Sequence, residues 1–287
     1  MKKKTLFIIV ILLTLSLTGC FKRDNMEDIN IITTFYPIEY VTNELYGENS
    51  VVNSIYPDGT NIYEYKFSNK QINDYSKQDL FIYLGLTSDK DMALKLLNKN
   101  KKILIIDGTF GMEIKYGIEE LWLNPSNLLM ISQNIKNGLQ EYIDSSYLNK
   151  DIDKRYSDLK LSLSELDAYI KLTAENSNNK TIIVSNDVLK CLEKYGFDVI
   201  SIDKDSANEK TLIDVQDKLS SNNLKYIFTL ENEEENHNIK TITQNTKAEV
   251  ITLKNITNLT DEERNNSEDY IKLMLENLEL IKKETYN

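Results

Sequence analysis

Residues Asp151 to Ser177 read DIDKRYSDLKLSLSELDAYIKLTAENS, a run with no proline or glycine. Leu159, Leu163, Leu166 and Ile170 recur at i, i+4, i+7 and i+11, which draws one apolar stripe along a helix. At 1.5 Å per residue, about 25 residues reach about 40 Å, enough to run the height of two small units. The helix is therefore expected to be a stiff connection with a folded body on either side.

Both flanks read alike. Before it, β-rich runs at Ile31 to Thr34, Val51 to Tyr56, Leu80 to Leu84 and Ile103 to Ile106 alternate with helix-length segments. After it, the same alternation places strands at Thr181 to Val184, Asp198 to Ile202, Tyr226 to Thr229 and Glu249 to Leu253. Alternating strands and helices mean parallel sheets with helices on their faces, so the fold class is α/β in two similar halves. Ser68-Asn69-Lys70-Gln71 has capping-box spacing and should open a helix. A last helix near Ser267 to Lys283 carries Tyr270, Leu273, Met274, Leu278 and Ile281 on one face, which should pack on a lobe.

The N-terminus is of a different kind. Lys2, Lys3 and Lys4 precede an apolar run from Leu6 to Leu17, too short for a membrane span of about 20 residues and patterned as a secretory signal. Leu17-Thr18-Gly19-Cys20 resembles a bacterial lipobox, which implies cleavage before Cys20 and attachment of lipid to its sulfur. Ordinary secretory cleavage that leaves a free thiol is the alternative. The expected organisation is a signal peptide over 1–19, an anchored linker over 20–28, an N-terminal lobe over 29–148, the connecting helix over 149–178 and a C-terminal lobe over 179–287.

Removing the signal deletes three lysines and no acids, which takes the net charge from -11 to -14. Nucleic acid and anionic lipid both require a basic footprint, so neither is expected as a partner. Membrane attachment would then come from the lipid alone. With Cys20 lipidated, Cys191 is the remaining cysteine and stability must come from packing without a disulfide.

Several segments, in order, resemble the zinc- and manganese-binding receptors of bacterial ABC importers, a family also described as metal-binding adhesin lipoproteins. They are Ile31 to Ile38 (IITTFYPI), Tyr56 to Thr60 (YPDGT), Asp79 to Gly85 (DLFIYLG), Leu121 to Pro125 (LWLNP), Ile183 to Asp187 (IVSND), Leu224 to Thr229 (LKYIFT) and Asn258 to Glu263 (NLTDEE). The resemblance implies two Rossmann-like lobes, each with a parallel sheet of about four strands flanked by helices. One long rigid helix joins them, and the ligand lies in the cleft between. It also implies an extracytoplasmic protein, lipid-anchored to the cell membrane and monomeric. Such a protein hands a divalent metal, zinc or manganese, to an ABC permease as cargo, with no catalysis and no resident cofactor.

Carried over position by position, the family's metal-ligand places fall on Tyr63, Glu120, Asn186 and Lys254, or Asn255 beside it. Only Glu120 keeps a metal-ligating side chain. Zinc takes imidazole, thiolate or carboxylate in sets of three or four, and a protonated lysine repels any cation. The chain holds a single histidine, His237, so no realignment restores a histidine cage. One expectation is that the Lys254 ammonium fills the cation's space and pairs with Glu120, with Tyr63 and Asn186 hydrogen-bonding around it. The other is that these are exposed loop residues around a wet cleft. A receptor for a non-metal ligand and a receptor-derived surface protein that no longer binds metal both stay open.

The remaining candidates have simpler readings. His237 follows the acidic run Glu231 to Glu235, read as a solvated loop before a helix, where acids favour the helix N-terminus. Trp122, the one tryptophan, is read as core and Cys191 as a buried small hydrophobe. Tyr63 and Tyr65 could stack on an organic ligand, or Tyr65 could face a lobe interior. No G-x-S-x-G elbow, phosphate-binding glycine loop or H-E-x-x-H occurs, which places an enzyme last.

Overall fold

The computed structural model describes residues 24–286. The expected signal peptide and the expected lipidation site at Cys20 lie outside the described residues. Among the described residues, no helix is long and apolar enough to cross a membrane.

Four parallel strands form the first sheet: β1 (Ile29–Thr33), β2 (Ser50–Ser54), β3 (Leu80–Tyr83) and β4 (Leu104–Asp107), in the order β2-β1-β3-β4. The second repeats the plan with β5 (Thr181–Val184), β6 (Asp198–Ser201), β7 (Tyr226–Leu230) and β8 (Glu249–Leu253), in the order β6-β5-β7-β8. All eight strands lie where the sequence places them, with ends moved by one or two residues. In each sheet the chain leaves the first strand to one side, crosses it, and continues on the other. Loops after the two central strands therefore diverge and leave a crevice, the usual ligand position in open α/β sheets.

The connecting helix runs Ser146–Glu175, about 45 Å at 1.5 Å per residue, and starts five residues earlier than its apolar periodicity suggests. Ser145 explains the difference, since its side chain accepts from the Leu148 amide and caps the helix there. Leu159, Leu163, Leu166 and Ile170 are all buried, as their spacing requires. They belong to one continuous apolar core that also takes in Phe35, Trp122, Leu278 and the facing residues of both sheets. Smaller cores line the outer face of each sheet, around Phe81 in the first and Ile227 in the second. The lobes thus share their main core and are not two bodies on a hinge.

Local signals fix the helix starts. The Ser68 capping box forms, with Gln71 N donating to Ser68 Oγ at 3.2 Å and Ser68 N donating to Gln71 Oε1 at 2.9 Å. Asn124 caps the helix Pro125–Tyr142, whose proline sits at the first turn where a missing N–H costs nothing. Thr260 and Glu263 form a second capping box at the helix Asp261–Asn265.

Candidate functional site

The carboxyl ends of both sheets face a common groove between the lobes. One part of it, about 380 Å³, is walled by Gly59 and Thr60 from the first lobe and by Glu231, Asn255, Thr257 and Glu263 from the second. The loop after β2 is stitched directly to the opposite lobe: Gly59 N donates to Leu259 O at 2.7 Å, and Asn258 Nδ2 donates to Pro57 O at 2.7 Å. Higher up, Gly117 lies so close to Val188 that a Cβ on it would collide with the valine side chain. The Glu119 carboxylate lies close to the same position, with Oε2 3.4 Å from where that Cβ would stand.

The four positions singled out in the sequence occupy this region as separate networks. No hydrogen bond or ion pair joins any two of them among the described residues. Tyr63 is half-exposed and donates its phenol proton to the Glu119 carboxylate; burial and that neighbouring charge push the phenol well above its usual range. Glu120 is buried, and its carboxylate accepts the Lys115 amide and, at 3.1 Å, the Tyr116 amide. It therefore locks its own loop, and its neighbour Glu119 is the acid that reaches Tyr63. Asn186 donates to Glu233 at 2.8 Å, while its Oδ1 caps the following short helix by accepting from Val188 N at 3.1 Å. Glu233 also accepts from Ser185 Oγ at 2.7 Å and Leu230 N at 3.1 Å, yet burial still raises its carboxyl above the ordinary value.

Lys254 corrects one expectation. Its ammonium pairs with Glu263, with Glu276 at 3.9 Å, and not with Glu120. The physical reason is local: the capping box at Thr260 aims Glu263 at Lys254, while backbone amides have already taken both Glu120 oxygens. Burial works against the lysine charge, but Glu263, Glu231 and Glu276 outweigh it and hold the ammonium above its ordinary value. Asn255, next in the chain, is buried; its Oδ1 accepts from Thr257 N and Oγ1, and its backbone oxygen accepts from Trp122 Nε1 at 2.7 Å.

Sequence reasoning missed Glu119, Glu233 and Glu263. Only Glu263 had a readable signal, in the T-x-x-E spacing from Thr260. Among the described residues, no three or more His, Cys, Asp or Glu side chains converge on a point that could hold a metal. The donors that border the groove are mainly oxygens. Trp122 is fully buried and Cys191 is buried, its thiol pushed up to about 12 by burial, both as core readings require. His237 opens the helix His237–Asn245, capped by Asn236 and not by the acids before it.

A second crevice opens off the first lobe at the switch point between β1 and β3. It measures about 740 Å³ and is lined by Tyr56, Tyr65, Phe67, Thr87 and Asp89, with Tyr63 at its edge. Tyr65 thus borders a crevice, although its ring also packs on Tyr56 and Phe67. Gly85 sits under the Asp107 carboxylate, which accepts its amide at 2.9 Å; any side chain there would collide with that carboxylate and distort the loop leading to Asp89. Asp89 is buried, and burial raises its pKa from 3.8 to about 6 against the opposing pull of Thr87 and Thr34. A raised acid pKa penalises the charged form in the folded chain, so stability falls as pH climbs from 3.8 through about 6 and stays reduced above it. Asp89→Asn is accordingly expected to stabilise the protein at neutral pH by about 3 kcal/mol, a gain that vanishes below the unfolded pKa. Urea unfolding at neutral and strongly acidic pH checks this; an equal gain at both would assign the effect to something other than ionisation.

The model of the family described as zinc-uptake complex component A, periplasmic, matches residues 31–284. The chain is 23% identical over 311 residues to the zinc-binding lipoprotein AdcA of Streptococcus pneumoniae, covering 99% of this chain and 61% of that protein. It is 28% identical over 297 residues to a metal ABC transporter substrate-binding lipoprotein of Lactococcus lactis, covering 93% of this chain and 92% of the relative. In three dimensions it resembles the Zn(II)-bound ZnuA-like domain of Streptococcus pneumoniae AdcA, with a TM-score of 0.72 at 22% identity over 91% of this chain and 100% of that domain. The chain thus spans about three fifths of AdcA and nearly the whole of the Lactococcus relative.

Proposed function

From the premise that the chain belongs to the zinc-uptake complex component A family, we propose that it is the extracytoplasmic solute receptor of a metal-type ABC importer. In this reading it is monomeric, anchored to the cell membrane through lipid on Cys20, and delivers cargo to a permease without catalysis. The cargo is a divalent cation held by oxygen donors in the interlobe groove. Two oxygen-donor pairs carry the reading, Tyr63–Glu119 from the first lobe and Asn186–Glu233 from the second, on segments that the Gly117–Val188 contact ties together. Carboxylate, phenol and amide oxygens suit a harder cation better than zinc, which favours imidazole and thiolate. The objection that Lys254 would repel a cation weakens, since its charge is already compensated by Glu263 and Glu276.

Calorimetric titration of the purified mature chain with manganese and with zinc tests this. Manganese is expected to bind with a dissociation constant of about 1 μM or weaker, equivalent to about -8 kcal/mol, with zinc no tighter. Glu119→Gln should weaken manganese about tenfold, the loss of one charged oxygen donor. Nanomolar zinc, or elemental analysis showing near-equimolar zinc on the purified chain, would overturn the oxygen-donor reading; silence with both metals would overturn the metal cargo itself.

A further inference from the structure

The edge of the first lobe that lies opposite the groove is where the chain enters. The four strands of the first sheet are parallel, so their amino ends share that edge, and the segment leading into β1 is fixed there. Asp24 Oδ2 accepts from Ser145 N at 2.6 Å, Met26 is buried, and Tyr46 Oη donates to Met26 O at 2.8 Å. Cys20 lies four residues before Asp24, and four residues span at most about 14 Å. Lipid on that sulfur would hold this edge close to the bilayer, since Asp24 to Met26 can give no slack without breaking those bonds. The side chains around it suit such a neighbour. Tyr147, two residues past Ser145, is 77% exposed, and Lys150 stands exposed one turn on. Lys99, Lys101 and Lys102, between the helix Asp89–Lys99 and β4, are exposed and make no ion pair among the described residues. Asn100 Nδ2 donates to Ser76 O at 2.8 Å, which keeps that turn beside the entry to β3. The net charge of the whole chain speaks against an anionic partner, but the charge is unevenly placed. Among the acids of this edge, Asp24 and Asp79 accept backbone amides, Glu48 pairs with Arg155, and Glu27 and Asp28 follow closely on Lys22 and Arg23 in the sequence.

We propose that this edge is the membrane-facing surface of the receptor and that it seats on anionic phospholipid, with Lys99, Lys101, Lys102 and Lys150 among the headgroup phosphates and Tyr147 at headgroup level. The inference rests on the lipid anchor of the function proposed above and adds an orientation to it. The acyl chains supply the affinity, and lysines close to an anionic surface add an attraction that selects one seating over the others. Tyrosine suits the same boundary, where its apolar ring and its polar tip both find partners. The carboxyl ends of the strands, and the groove with them, then lie on the side away from the lipid, and the connecting helix carries the second lobe outward.

The test is acetylation footprinting of the lipidated chain on vesicles of mixed phosphatidylglycerol and phosphatidylcholine, read lysine by lysine by mass spectrometry. The reference is the lipid-free chain starting at Phe21, mixed with the same vesicles. Lys99, Lys101, Lys102 and Lys150 are expected to react at least about threefold more slowly in the lipidated chain, while the exposed Lys210, Lys240 and Lys247 of the second lobe react equally in both. On vesicles of phosphatidylcholine alone the protection should shrink. Equal reactivity of the four lysines in both chains would overturn the proposal. So would protection of the second-lobe lysines in their place, or protection on phosphatidylcholine as strong as on the anionic mixture. The mass of the N-terminal peptide is read from the same digest: a Cys20 without lipid sinks the anchor and this proposal with it, whereas a lipidated Cys20 with uniformly reactive lysines sinks this proposal alone.

Discussion

Trp122→Ala is expected to lower the unfolding free energy by about 4 kcal/mol, the cost of deleting a fully buried tryptophan. The ring does two things at the seam between the lobes. It stacks on Phe35 at 5.1 Å between centroids, and its indole N–H donates to Asn255 O at 2.7 Å across the interface. Alanine would leave a cavity in the shared core and strand a buried carbonyl. Trp122→Phe separates the two contributions: it keeps most of the volume and loses the hydrogen bond, so about 1–2 kcal/mol is expected. Because this is the one tryptophan in the chain, unfolding is followed by circular dichroism in urea. A loss below about 1 kcal/mol for the alanine variant would mean that the lobes do not depend on this seam.

That seam shows why some of the molecule was readable in its sequence and some was not. Strand positions were legible because each buried strand is a short β-branched or aromatic run bounded by polar residues, as Leu80–Tyr83 and Thr181–Val184 are. The connecting helix was legible because Leu159 to Ile170 repeat at helical spacing over several turns. Its start was misplaced because apolar periodicity says nothing about Ser145, whose capping bond adds a turn. The resemblance led to Tyr63, Glu120, Asn186 and Lys254, whose side chains no hydrogen bond or ion pair joins among the described residues.

Partner choice was not legible, and Glu119-Glu120 shows the reason. Adjacent acids on a short helix point in different directions, and the one that turns inward is decided by which backbone amides are free. The 115–116 amides claim Glu120 and leave Glu119 for Tyr63. Lys254 was assigned a partner by analogy with a missing cation, when a carboxylate nine residues along the chain was aimed at it by a helix cap. A rigid connecting helix and a core shared by both lobes also bear on function. They leave little room for wide hinge closure, so cargo capture should rest on loops and side chains at the groove.

Arg264→Ala should be the other large loss, about 2–3 kcal/mol, because one guanidinium from the second lobe neutralises two acids of the first. Its Nη1 and Nη2 meet the two Glu39 oxygens at 2.9 and 3.1 Å, and Nη2 also reaches Asp58 Oδ1 at 2.8 Å. Glu39 is buried, so truncation leaves its carboxylate without a counter-charge inside the interface, with Asp58 nearby. Breaking such a pair costs about 3–5 kcal/mol when both partners are enclosed; Arg264 is part exposed, and solvent screening brings the figure down. Arg264→Lys should recover only part of it, since an ammonium cannot span both Glu39 oxygens and Asp58 in the fixed geometry of the fork. The decisive variant is Arg264→Ala with Glu39→Gln. If the stranded charge is the cause, removing it should restore about 1–2 kcal/mol relative to the single variant, a coupling measurable by a double-mutant cycle in urea. Additive losses would show that Arg264 acts by packing its stem and not by neutralising Glu39.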